Sequence, residues 1–133
     1  MRGGDFLDSN VLIYAASGER SIAAVAQALI TERAVISVQV LNEFASVMTR
    51  KRSASWDSVR LFLEEARTLL TVVPLTEADH DEALRLVQRH RLQFWDALIV
   101  ASALSAGCVR LLTQDMHPGL VFDGRLTVVN PFA

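Results

Sequence analysis

Four carboxylates stand where this sequence is otherwise apolar or turns a corner: Asp8 in "FLDSNVLIYA", Glu43 in "NEF", Asp96 in "FWDALIVASAL" and Asp115 in "LLTQDM". Each has an ordinary explanation when taken alone. Asp8 can cap a short helix, Asp96 can complement a helix dipole, Glu43 can be a boundary residue with its carboxylate in water, and Asp115 can form a turn ahead of Pro118 and Gly119. Asp96 resists that treatment most, because the helix around it is apolar on nearly every side and a buried, unpaired carboxylate is costly. If the four converge, they repel one another and their pKa values rise unless a cation intervenes. All-oxygen ligation favours a hard divalent ion, Mg²⁺ or Mn²⁺. A carboxylate-held ion of that kind activates water and polarises phosphates, so the chemistry indicated is phosphodiester hydrolysis. His80, His90 and His117 have no ligand-like spacing, so a zinc site is not indicated.

The elements that must position these acids follow from the hydrophobic periodicity. A short strand over residues 5–8 leads into a helix through Tyr14 that stops at Gly18, and a second helix runs from about Ser21 to Arg33. A strand "AVIS" then leads, through Ser37 as cap, into a helix from Val38 to Lys51 with Leu41, Phe44, Ala45, Val47 and Met48 on one arc. Ser55 caps a helix reaching about Leu70, whose stripe is Val59, Phe62, Leu63, Leu69 and Leu70. "TVVP" is the third strand, Thr76 begins a helix to His90 with Ala83, Leu84 and Val87 inward, and the helix of "FWDALIVASALSAG" closes at Gly107. "VRLL" and "LTVV" give the fourth and fifth strands, the latter following an Asp123-Gly124 turn. Strands alternating with helices imply an α/β fold with a parallel sheet, and sites in such sheets gather beyond the carboxyl ends of the strands. Asp8 ends the first strand and Asp115 lies just past the fourth.

Composition bounds the alternatives. A chain of 133 residues that is 51% hydrophobic suits one globular domain, here residues 1–133. With 13 basic and 15 acidic residues the net charge is −2, so no overall positive field announces a nucleic-acid coat. Cys108 is the single cysteine, which precludes an internal disulfide and fits a reducing, cytoplasmic setting. The apolar stretch after Met1 to Gly4 is broken at Asp8, so it does not read as a signal peptide. The run from Ala97 to Ala106 is about half the length of a membrane span. The expectation is a soluble protein.

The four stretches quoted above, in their order and spacing, resemble the PIN-domain ribonucleases. The whole chain is similar to VapC-type toxins of bacterial toxin-antitoxin pairs, and its closing "DGRLTVVNPF" is similar to the tail of many of them. The resemblance implies a PIN-like three-layer α/β/α fold with a central, mostly parallel sheet of about five short strands. It implies an acidic quartet of Asp8, Glu43, Asp96 and Asp115 holding Mg²⁺ or Mn²⁺, an endoribonuclease activity, a twofold homodimer and a cognate antitoxin. Ser9, Asn10 and Thr113 match positions that support the acids or orient substrate. The residues after Asp115 depart from the commoner acidic and aromatic pattern, since Met116, His117, Pro118 and Gly119 follow it.

Two other classes compete with an active nuclease. A phosphoryl acceptor of receiver or haloacid-dehalogenase type would use the strand-end Asp8, but it needs a lysine near the phosphate, and the only one is Lys51. A silent PIN-fold binding module would have lost quartet acids, and all four are present. Contact with RNA must come from local charge, for which Arg50, Lys51 and Arg52, or Arg89, His90 and Arg91, are the candidate groups. Apolar side chains on the helices from Ser21 to Arg33 and from Ser55 to Leu70, with Trp56 and Phe62 foremost, are candidates for contact with protein partners.

Overall fold

The computed structural model describes residues 4–133, so the first three positions considered in the signal-peptide reading lie outside the described residues. Six strands form one sheet: β1 (Asp5–Leu7), β2 (Ala34–Ser37), β3 (Thr71–Val73), β4 (Arg110–Leu112), β5 (Val121–Phe122) and β6 (Leu126–Val129). Their spatial order is β3-β2-β1-β4-β6-β5, and every pairing is parallel except that of β5 with β6. The chain therefore winds outward from β1 through β2 to β3, then returns to place β4 on the other side of β1. Beyond the carboxyl ends of β1 and β4 lies the crevice that such a reversal creates.

Six helices connect the strands: α1 (Ser9–Ser17), α2 (Arg20–Leu29), α3 (Val38–Lys51), α4 (Trp56–Ala66), α5 (Glu77–His90) and α6 (Phe94–Ser105). Local chemistry sets several of their starts. The Ser37 and Ser55 hydroxyls accept from the amides of Val40 and Ser58. Thr76 and Asp79 form a reciprocal capping box at α5, so Asp79 does more there than complement the dipole.

Two helices end earlier than their periodicity predicts. α2 stops at Leu29 rather than Arg33, where the Thr31 hydroxyl accepts from the Arg33 amide and offers the backbone a turn instead of a helix. α4 stops at Ala66 rather than Leu70; Thr68 bonds back to the Glu65 carbonyl, Leu70 turns into the core, and Leu69 is left exposed. On α5, Leu84 faces solvent and Leu86 takes the inward place assigned to it.

The sixth strand, β5, is only two residues long and carries no periodic signal of its own. Its turn does: Asp123 and Gly124 have φ of 52° and 67°, and the Arg125 amide donates to the Phe122 carbonyl at 3.1 Å. Positive φ at both central residues is the primed-turn geometry that an Asp-Gly pair favours, here in a loop of three residues between the paired Phe122 and Leu126.

The sheet contributes Phe6, Leu7, Ile36, Leu111 and Leu112 to the core, with Leu12, Phe44, Leu86 and Ile99 packed from the helices. From Ala97 to Leu104 every residue of α6 is buried, which accounts for a sequence that is apolar there except at Ser102. The helices fall into two packed groups, α1 with α2, α3 and α4, and α5 with α6, and both groups reach β2. Among the described residues no helix is long and apolar enough to cross a membrane.

Candidate active site

Register brings the first and last acids together. Leu7 pairs with Leu112, so the next residues, Asp8 and Thr113, leave the sheet side by side, and the Asp8 amide donates to the Leu112 carbonyl at 3.0 Å. Asp8 then caps α1, its Oδ1 accepting from the Ser9 amide at 2.7 Å. Its Oδ2 accepts from the Thr113 hydroxyl, also at 2.7 Å. Thr113 Oγ1 in turn accepts from Asn10 Nδ2 at 3.2 Å and from the Asp115 amide at 3.0 Å. Asn10 Nδ2 also donates to Asp115 Oδ2 at 3.2 Å, while its Oδ1 accepts from the Gln114 amide. Two carboxylates beyond the ends of different strands are thus tied into one network by an amide and a hydroxyl.

The other two acids come from helices. Glu43 sits in the second turn of α3, where the side chain of Gln39, four residues earlier, donates from Nε2 to Glu43 Oε2 at 3.1 Å. The same Nε2 donates to the Trp95 carbonyl at 3.1 Å, so Gln39 couples α3 to the first turn of α6, which carries Asp96. All four acids line one cleft of ≈ 350 Å³, and none of the residues lining it is cationic.

The electrostatics follow from that crowding. Asp8 is only 4% exposed, and its carboxyl is pushed up to about 7. Burial is the main cause, opposed by the hydrogen bonds from Thr113 and Ser9 and reinforced by the charges of Glu43 and Asp115. Asp96 is also raised, first by burial and then by Asp115 and Glu43. Asp8 and Asp96 therefore both feel the charges of Glu43 and Asp115.

The supporting residues divide by burial. Ser9 lines the cleft, but Asn10 and Thr113 are buried, so both act on the acids rather than on anything in the open cleft. Of the basic candidates, Arg50 is hydrogen-bonded to a cleft residue, donating to Ser46 Oγ at 3.4 Å from the exposed end of α3. Lys51 and Arg52 are exposed, with Arg52 donating to the Ser17 carbonyl, and Arg91 is the left-handed cap of α5 beside exposed Arg89. His90 is half-buried edge-on to Phe122.

Comparison with known families gives a match to the PIN domain over residues 6–117. The chain belongs to the PIN-domain family. Comparison with curated proteins gives no match. Among solved structures, this PIN chain is similar to a toxin-antitoxin complex from Klebsiella pneumoniae, at 20% identity and a TM-score of 0.72, covering 97% of this chain and 98% of that one. It is also similar to the sarcin-ricin loop cleaving toxin VapC20 of Mycobacterium tuberculosis, at 17% identity and a TM-score of 0.65, covering 81% and 87%. DNA-bound VapBC from Salmonella typhimurium aligns at 18% identity and 0.63, covering 95% and 98%.

The PIN cleft fits a hydrated cation better than a caged one. Among the described residues no three acidic, histidine or cysteine side chains gather closely enough to form a ready-made metal cage. Mg²⁺ and Mn²⁺ do not need one, since such ions keep several waters and bind one or two carboxylates directly. Two observations support the fit: the raised Asp8 carboxyl, which a cation would relieve, and the buried Gln39 Oε1, which has no partner beside Glu43.

Several residues that the sequence reading passed over line or hold this PIN cleft. Gln39 was detectable only as a polar residue one turn before Glu43. Trp95 reads in sequence as part of an apolar helix, yet it is 56% exposed and lines the cleft with Ser46 and Gln93. Its place in the first turn, before α6 sinks into the core, accounts for that exposure.

Proposed function

We propose that this chain, acting as a single domain over residues 1–133, is a divalent-metal-dependent endoribonuclease and the cytoplasmic toxin of a toxin-antitoxin pair. The observation that carries the reading is the convergence of Asp8, Glu43, Asp96 and Asp115 on one cation-free cleft beyond the carboxyl ends of parallel strands. The toxin-antitoxin assemblies among its structural relatives, and the sarcin-ricin loop cleavage by the mycobacterial toxin, support the biological setting. A phosphoryl-acceptor role is disfavoured because Lys51 does not line the cleft.

In this reading Asp8, Glu43, Asp96 and Asp115 would together hold a hydrated divalent ion. A bound Mg²⁺ or Mn²⁺ supplies a Lewis acid for the phosphate and lowers the pKa of water for attack on phosphorus. The protein's part is positioning. Thr113 and Asn10 tie Asp8 to Asp115, Gln39 ties Glu43 to the start of α6, and in this reading Glu43 takes a proton from water in the cleft. In the same reading Arg50 at the rim meets a neighbouring phosphate of the RNA.

For partners we propose a homodimer and an antitoxin. The support is the exposed apolar surface of α4 and the turn that follows it, where Trp56 is 68% exposed and Leu61 and Leu69 are also exposed. Phe62 belongs to the core side instead, stacked on Phe44 with ring centroids 5.0 Å apart.

Activity is tested on total cellular RNA with purified chain. Cleavage should require Mg²⁺ or Mn²⁺, stop on adding EDTA and resume with excess metal. It should also be suppressed by a stoichiometric amount of the protein encoded beside this gene. Cleavage that continues in EDTA would overturn the metal-dependent reading.

A further inference from the structure

We propose that Trp95 is a stacking platform for one unpaired base of the RNA strand, the base contact beside the acids. The inference rests on the nuclease reading above and adds the residue that meets the base.

Three observations place the ring there. Trp95 is the one aromatic among the residues lining the cleft, immediately before Asp96, and more than half of it is open to solvent. Its ring is held rather than loose: Phe94 packs edge-on to it at 5.4 Å with an interplanar angle of 73°, and the half-buried Phe94 is itself packed edge-on to His80 at 5.9 Å. Its backbone is fixed by the Gln39 amide that also grips Glu43. An exposed tryptophan with a fixed backbone and a supported ring offers a flat π-face at little cost in side-chain entropy.

The charge of the cleft says what that face is for. The cleft wall is anionic and contains no cation, so apart from a bound metal ion it offers phosphates little attraction. A base, by contrast, is neutral and stacks on an indole whatever its identity, and Val47 and Ile99 add apolar wall beside it. In an A-form duplex the bases are paired and stacked on each other, so only a loop, bulge or single strand can offer one to the ring.

The test combines a protein change with a substrate change. A short single-stranded RNA with a defined cleavage position is compared with the same strand made abasic at each neighbouring nucleotide in turn, using wild type, Trp95→Phe, Trp95→Leu and Trp95→Ala. For wild type, loss of one particular base should lower kcat/KM about tenfold, within the range of base–aromatic stacking. Trp95→Ala should lower cleavage of the intact strand by a similar factor, and the two changes together should do no more than either alone. Trp95→Phe should restore most of the loss and Trp95→Leu should not. Fully additive losses, or normal cleavage by Trp95→Ala, would overturn the proposal, as would a Trp95→Ala chain that cleaves normally but escapes its antitoxin. If wild type cleaves no RNA, the nuclease reading fails and the stacking claim is judged separately. Trp56→Phe leaves Trp95 as the sole tryptophan of the chain. Its fluorescence should then be quenched by oligouridylate with Mg²⁺ present, and an unchanged spectrum would refute the platform.

Discussion

The Thr113 hydroxyl has one proton to give and two lone pairs, and all are in use. Asn10 Nδ2 and the Asp115 amide can only donate, so the hydroxyl proton must point at Asp8 Oδ2. Thr113→Val should therefore leave a buried carboxylate and two donors short of a partner. We expect about 1–3 kcal/mol of lost stability and lower activity, with Thr113→Ser close to wild type; thermal melts and RNA cleavage check both. Asp8 gives a pH dependence whose sign is fixed. Its carboxyl is raised from 3.8 to about 7 in the folded protein, so between those values the native state holds a proton that the unfolded chain has released. This group's contribution to metal-free stability is present below pH 4 and lost as pH rises toward 7. Metal-free melting temperature should fall from pH 5 to pH 8, and Asp8→Asn should flatten that slope. Millimolar Mg²⁺ at pH 8 should raise the melting temperature of wild type by mass action. The acids were legible in the sequence because carboxylates are conspicuous in apolar surroundings. Gln39 and Trp95 were not, because an amide on a helix and a tryptophan in an apolar run have ordinary meanings until the fold places them.

At the scale of elements, helix caps and turns carry much of the positioning. Asp8 is at once a strand end, a helix cap and a cleft acid, and the register of β1 against β4 brings it beside Thr113. The strand-end and cap roles of Asp8 were readable in advance, as were the Ser37, Ser55 and Thr76 caps, since each depends on a short local pattern; the β1–β4 register was not, because it pairs residues far apart in the chain. The ends of α2 and α4 were not, because the apolar residues that continue the helical period there, Ile30 and Leu70, pack against or into the core from a turn. β5 was also missed, being stabilised by pairing with β6 rather than by its own two residues. The Asp-Gly turn between them gives a prediction specific to this element. Gly124 has φ of 67° with open space around its Cβ position, so Gly124→Val incurs conformational strain without a clash. We expect a loss of about 1–2 kcal/mol in a denaturant melt with unchanged kcat, because the hairpin does not line the cleft.

The whole molecule has a net charge of −2 but concentrates like charge at one place, so it gains from any positive group delivered there. In the proposed active state a metal ion would do this. An antitoxin that inserts an arginine or lysine among the acids would do it in the silent state, displacing metal while its apolar residues cover exposed surface. If the apolar surface of α4 also serves self-association, light scattering at tens of micromolar should give twice the mass of the 14.7 kDa chain, and a monomer would remove the dimer from the account. The central claim is that the acids form a single catalytic metal site, and it is tested most directly by RNA cleavage at saturating Mg²⁺ by Asp8→Asn and Asp96→Asn, each with its fold verified by circular dichroism. Loss of a ligand to an ion worth several kcal/mol in the transition state predicts a fall of roughly a thousandfold for both. Near-wild-type cleavage by either folded variant would contradict it.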